Sequence, residues 1–259
     1  MNFQLENKTA LVTGSTKGIG FAIARLLAAE GANVILNGRS EDSTRKAAQR
    51  IGQRASGVAA DVSTATGCAE LIRQAPSVDI LVNNAGIFEP KPFAEISDSD
   101  WERFYQVNVM SGVRLARAYL PGMLHRNWGR IVFMSSESGV QIPEEMIHYG
   151  MTKAAELALV NGIARLTRGT NVTVNAVLPG PTASEGVTEF VGRLASNARQ
   201  TPAEFEKEFF RSVRPTSLLQ RFATVDEVAN MVAYVCSPLA SATNGAAVRV
   251  DGGVVRGTL

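Results

Sequence analysis

Cysteine is nearly absent from this chain: there are two, Cys68 and Cys236, in 259 residues. Two thiols cannot build a disulfide scaffold, and they fit a reducing compartment. Histidine is equally scarce. His125 and His148 leave little material for a zinc site, so no metal is expected. Charge of one sign is missing as well, since 26 Lys and Arg against 24 Asp and Glu give a net charge of +2. Neither nucleic acid nor an anionic membrane surface is expected as the main partner. No apolar run reaches the roughly 18–20 residues that a bilayer crossing needs. Residues 1–9 carry Glu6 and Lys8 and lack the apolar stretch of a secretory signal. These absences lead to the expectation of a cytoplasmic protein without a membrane partner. What is present excludes a disordered chain, with 45% hydrophobic and 19% charged residues.

Short apolar runs rich in β-branched residues alternate with longer helical patterns. Seven runs read as strands: 9–13, 33–36, 57–60, 79–82, 130–134, 172–178 and 246–250. Several are apolar throughout rather than alternating, as expected of strands buried on both faces. Helical patterns occupy 21–30, 64–75, 98–120, 149–168 and 224–235, and Ser97, three residues before Asp100, resembles an N-cap signal. This order predicts an α/β fold, a doubly wound parallel sheet of seven strands in a single domain spanning 1–259. Ligands of such sheets bind at the carboxyl ends of the strands. Residues 180–220 are irregular and carry Phe190, Phe205, Phe209 and Phe210; they are expected to form a lid over the site.

The first strand runs into Thr13-Gly14-Ser15-Thr16-Lys17-Gly18-Ile19-Gly20, which opens the first helix. Glycines in such a turn let backbone approach a pyrophosphate, and the helix N-terminus faces it with free N–H groups. The second strand runs out as Leu36-Asn37-Gly38-Arg39. No carboxylate stands where a ribose 2′-hydroxyl would be read, and Arg39, with Lys17, suits a 2′-phosphate. NADP(H) is therefore expected in preference to NAD(H). Glu41 and Asp42 are read as the first turn of the next helix.

Tyr149 and Lys153 stand four apart, a spacing that places both on one helix face. A nearby ammonium lowers the pKa of a phenol and suits it to proton transfer. Ser136 follows the fifth strand, where its hydroxyl can meet a substrate carbonyl. Thr13-Gly14-x-x-x-Gly18-Ile19-Gly20, Asn83-Asn84-Ala85-Gly86, Ser136, Tyr149-x-x-x-Lys153, Pro179-Gly180 and Val250-Asp251-Gly252-Gly253 together resemble the short-chain dehydrogenase/reductase family over essentially the whole chain.

The resemblance implies a Rossmann-type fold and a catalytic set of Asn108, Ser136, Tyr149 and Lys153. Tyr149 matches the proton donor and acceptor, and Lys153 the lysine that holds the nicotinamide ribose. Ser136 matches the serine that polarises the carbonyl, and Asn108 the asparagine of a proton relay. Asp61 and Val62 resemble the pair near the adenine, Asn84, Ala85 and Gly86 the segment along the adenosine half. Pro179, Gly180 and Thr182 resemble the loop at the carboxamide. The implied substrate is a small carbonyl compound or alcohol, with 3-oxoacyl-thioester reduction as one form, and the implied assembly is a homotetramer or homodimer. An NADP(H)-sensing regulator without chemistry is the rival from another class.

Some residues remain outside this pattern. Glu137, Glu144 and Glu145 read as exposed loop charges. Arg193, Arg199, Arg211 and Arg214, interleaved with glutamates, read as a solvated helix face. Ser135 and Ser138 read as strand-end and turn hydroxyls beside Ser136. His148 is given no role.

Overall fold

The computed structural model describes residues 2–185 and 201–257. Seven strands form one parallel sheet: β1 (Thr9–Val12), β2 (Asn33–Gly38), β3 (Ala55–Ala59), β4 (Ile80–Asn83), β5 (Gly129–Met134), β6 (Val172–Pro179) and β9 (Ala247–Val250). Their order is β3-β2-β1-β4-β5-β6-β9. A separate two-stranded ladder pairs β7 (Thr182–Ala183) with β8 (Ala223–Thr224).

The apolar strands are explained by their two faces. Successive side chains point to opposite sides of a sheet. On β1, Ala10 and Val12 join one core and Leu11 the other; on β5, Val132 and Met134 oppose Ile131 and Phe133. The first core is closed by α1 (Gly18–Ala29), α2 (Glu41–Ile51) and α8 (Val225–Cys236), with Leu27, Ala47 and Val232 buried. The second is closed by α3 (Ala65–Gln74), α5 (Ser111–His125) and α6 (Ile147–Arg165), with Leu71, Leu115 and Val160 buried. Because both faces are covered, both sets of positions are mostly apolar, and polar exceptions such as Asn37 and Asn175 are buried with hydrogen-bond partners. Ser97 caps α4 (Asp98–Phe104) through a reciprocal box with Asp100.

The single helix expected over 98–120 is three pieces. Between α4 and α5 the chain forms a π-turn, Tyr105–Met110, and α5 continues through Pro121 to His125. The widened turn lies opposite the ends of the central strands, where such turns recur at functional sites.

Strand order reverses between β1 and β4, and the crevice at their carboxyl ends is where the glycine turn and the catalytic candidates lie. Of segment 180–220, residues 186–200, including Phe190, Arg193 and Arg199, lie outside the described residues. The remainder holds β7 and α7 (Pro202–Ser212), and β8 follows it. Phe209, Phe210 and Phe222 pack together with ring centroids 5.2 Å apart.

Candidate active site

At the head of α1 the chain solves its contacts with backbone. Gly14 and Gly18 have φ of +59° and +60°, a region that L side chains rarely enter. A Cβ on Gly20 would lie 2.6 Å from the carbonyl oxygen of Gly14 and 3.0 Å from Cα of Ser15. Thr13 Oγ1 accepts from the N–H groups of Asn84 and Ala85, both at 2.9 Å. Asn84 Nδ2 donates back to Thr13 O at 2.9 Å and Gly14 O at 3.1 Å. These bonds tie the turn after β1 to the turn after β4. Ser15 is buried, its hydroxyl on Val12 O and its N–H on Asn37 O, so it shapes the turn from beneath. Thr16 packs its methyl toward Gly38, and Ile19 is half-buried.

No side chain caps α1 at Lys17. Instead the Gly18 N–H donates to Oε2 of Glu185 at 2.7 Å. A carboxylate from 167 residues away thus sits at the positive end of the helix. The sequence reading missed Glu185, and no local signal could have placed it there.

Arg39 is exposed directly after β2, with no ion pair of its own among the described residues. Asn37 is buried and holds β3 through Val58 O and Ala60 O. Glu41 and Asp42 occupy the first turn of α2 as expected, and Asp42 pairs with Arg45 and Lys46. After β3, Asp61 is exposed and accepts from Ser63 N, while Val62 is buried.

The other half of the crevice is built from side chains. Asn108 lies in the π-turn, buried, with Oδ1 accepting from Ile87 N at 2.8 Å and Nδ2 donating to Ile87 O and Thr152 Oγ1. Tyr149 and Lys153 stand one turn apart on α6, with Nζ of Lys153 5.8 Å from the phenol ring centre. The edge of Phe88 faces that ring at 6.4 Å. A Cβ on Gly86 would lie 3.5 Å from Asn108 Oδ1 and 3.7 Å from Lys153 Nζ, so the glycine leaves the approach to the ammonium clear.

Lys153 is itself buried. Its Nζ donates to Met134 O at 2.7 Å and to both carboxylate oxygens of Glu156 at 3.1 Å. Burial pushes the Glu156 carboxyl up to about 7, against the opposing pull of Lys153. Burial, chiefly, and the carboxylate of Glu137 push the Tyr149 phenol well above its ordinary value, while a hydrogen bond with Ser136 works the other way. The ammonium of Lys153 is engaged with Glu156.

Ser136 follows β5 and caps a short 3₁₀ turn, accepting from Ser138 N at 3.1 Å and donating to Oε2 of Glu137. Ser135 is spent on Lys153 O, as a strand-end hydroxyl, and Ser138 on Glu137. The expectation of solvated charges is corrected for Glu137 and Arg214, while Glu145 stays partly exposed. Glu137 is 5% exposed and Arg214 9%, and they pair with each other at 3.3 Å. Arg214 Nη1 also meets Glu145 at 3.0 Å. A charge interleaved along a sequence is buried when the fold supplies its counter-ion from elsewhere. Glu144 is exposed and Arg211 pairs with Glu208 on the surface, as expected.

Past β6, a Cβ on Gly180 would meet Asp251 O at 2.6 Å, and Thr182 Oγ1 donates to Gly180 O. Pro179 is the last residue of β6, beside Val250. His148 is buried against Phe104, centroids 4.0 Å apart, and burial pushes it down. Among the described residues there is no cluster of metal-ligating side chains, and no helix is long and apolar enough to cross a membrane.

The family model of the short chain dehydrogenases matches residues 8–193. The chain belongs to the short chain dehydrogenase family. Among curated proteins this dehydrogenase is 48% identical over 261 residues to a Bacillus subtilis protein named uncharacterized oxidoreductase YvaG, covering 99% of each chain. It is 34% identical to the 3-oxoacyl-[acyl-carrier-protein] reductase FabG of Aquifex aeolicus, over 98% of this chain and 100% of that one. Among solved structures it superposes on L-sorbose reductase from Gluconobacter frateurii, complexed with NADPH and L-sorbose, with a TM-score of 0.93 and 32% identity. That match covers 99% of this chain and 100% of the reductase. The family accounts for the seven-stranded sheet and for the position of the crevice, and it makes the chain an oxidoreductase.

Proposed function

We propose that this dehydrogenase is an NADP(H)-dependent reductase of a small carbonyl compound, working through Ser136, Tyr149, Lys153 and Asn108. The observation that carries the reading is the meeting of three groups from separate elements. Ser136 at the end of β5 lies beside Tyr149 on α6, where it opposes the rise of the phenol pKa, and Lys153 lies one turn further along the same face.

The residues present fit a dinucleotide. The turn Gly14, Ser15, Thr16, Lys17, Gly18, Ile19, Gly20 would hold its pyrophosphate, at the place where the Glu185 carboxylate rests on Gly18 N. Arg39 and Lys17 supply positive charge for a 2′-phosphate; Asp61, Val62, Asn84, Ala85 and Gly86 would line the adenosine half. Lys153 would hold the nicotinamide ribose through the gap above Gly86, with Pro179, Gly180 and Thr182 at the carboxamide. Three solved relatives described with NADPH or NADP bound support this choice. When bound, the nicotinamide supplies or accepts the hydride.

The protein supplies orientation and the proton. Ser136 and Tyr149 polarise the carbonyl oxygen, and Tyr149 protonates it. Lys153 and Asn108 return the proton through solvent. The 3-oxoacyl reductases at 34% identity keep acyl thioesters among the substrates to test. The test is NADPH oxidation against ketones, sugars and 3-oxoacyl thioesters, with Tyr149→Phe as control. Turnover is expected to fall about 10²–10⁴-fold in the variant while cofactor binding persists. Equal turnover in both proteins overturns the reading, and a lower KM for NADH than for NADPH overturns the cofactor preference.

A further inference from the structure

Glu137 is a carboxylate in hydrogen-bond contact with the serine that is to polarise the substrate. Its Oε2 accepts from Ser136 Oγ, from Ser138 N at 2.8 Å and from Ser138 Oγ at 3.1 Å. Its Oε1 is held by Arg214 Nε at 3.3 Å. Ser136 has one hydroxyl proton, and here it goes to the carboxylate, a stronger acceptor than a ketone oxygen. To donate to a carbonyl, Ser136 must withdraw that proton from Glu137. Without that proton Oε2 keeps its two Ser138 donors, and the place that Ser136 vacates is open to a replacement donor from the substrate.

We propose that the substrate brings that replacement as a hydroxyl on the carbon next to its carbonyl: Glu137 accepts this hydroxyl, and the substrate is an uncharged α-hydroxy ketone, reduced to a vicinal diol. The carbonyl then takes Ser136 and Tyr149 while its neighbour donates to Glu137. In the step, hydride adds to the carbonyl carbon, NADPH becomes NADP⁺, and the oxygen receives the Tyr149 proton, which solvent replaces.

Charge disfavours an anionic substrate: among the described residues, Glu137 and Glu145 share the Arg214 guanidinium. A keto acid meets repulsion there. A 3-oxoacyl thioester has no hydroxyl to offer Glu137.

This inference rests on the reductase reading, so its test uses matched ketones that differ only in the hydroxyl. Hydroxyacetone is compared with butanone, and acetoin with 3-methylbutan-2-one, at saturating NADPH. In the natural protein kcat/KM should favour the hydroxy ketone by about tenfold to a hundredfold. Glu137→Leu should bring the ratio toward one. Glu137→Gln, which keeps an acceptor oxygen and the side-chain volume, should give an intermediate ratio and covers a folding failure of the leucine variant. Affinity of the same ketones for the enzyme with NADP⁺, measured calorimetrically without turnover, should show the same preference. A ratio near or below one in the natural protein overturns the α-hydroxy ketone inference and leaves the reductase reading standing. Absence of Tyr149-dependent turnover on every ketone and thioester overturns the reductase reading and this one with it.

Discussion

The head of α1 and the turn after β5 lie at the same edge of one sheet, yet they manage buried polarity in opposite ways. Around Gly14, Gly18 and Gly20 most contacts are backbone and amide groups, with Thr13 and Asn84 as neutral ties between two turns and a carboxylate, Glu185, on the Gly18 N–H. Around Ser136 the contacts are ionic. Glu137 with Arg214, and Lys153 with Glu156, are buried pairs beside the reacting groups. A backbone site tolerates any bound molecule with the right phosphates and is spoiled by added volume. A charged site selects by what the substrate donates and is spoiled by removing one partner.

Cutting the ionic side should have the largest effect. Arg214→Met leaves Glu137 without its counter-ion and should cost about 3–5 kcal/mol in urea unfolding. Combining it with Glu137→Leu should recover most of that loss. If the double variant is as unstable as the single, the pair is not the stabilising unit.

The second buried pair sharpens the comparison through pH. Glu156 binds its proton more tightly folded than unfolded, since burial raises its pKa from the ordinary 4.5 to about 7. Its contribution is therefore fully present below about pH 4.5 and is lost as pH rises through 7. Between those limits it lowers stability with rising pH by an amount on the order of 3 kcal/mol. In Glu156→Gln this part of the slope should vanish, as read from denaturant midpoints at several pH values. An unchanged slope would mean that Glu156 does not titrate in this window.

The backbone side responds to volume. Gly20→Ala places a methyl 2.6 Å from Gly14 O and should cost about 1–3 kcal/mol, with weaker dinucleotide binding. Gly162→Ala, on the exposed side of α6 with nothing within 4 Å of the added carbon, should instead gain about 0.5–1 kcal/mol. Thermal unfolding of the two variants checks both signs, and a stabilised Gly20→Ala would refute the close approach.

Much of the backbone side was legible in the residue order. Glycine spacing, the strand before it and the helix after it are local, and so is the capping box at Ser97 and Asp100. The same holds for Tyr149 and Lys153, because a spacing of four is fixed by helix geometry. The π-turn at Tyr105–Met110 was not legible: one widened turn leaves the apolar periodicity nearly unchanged. Glu156 carried a faint signal, a lone carboxylate in an apolar helical stretch three residues past Lys153. Glu137 looked like an exposed loop charge because its partner is 77 residues away.

The sequence by itself determined the seven-stranded order of elements, the glycine turn and the face that carries Tyr149 and Lys153, since each depends on interactions within a few residues. Tertiary structure alone decided which charges are buried and with whom: Glu137 with Arg214, and Glu185 on the Gly18 N–H. Ionic partners attract by distance in space, and distance along the chain carries no record of it.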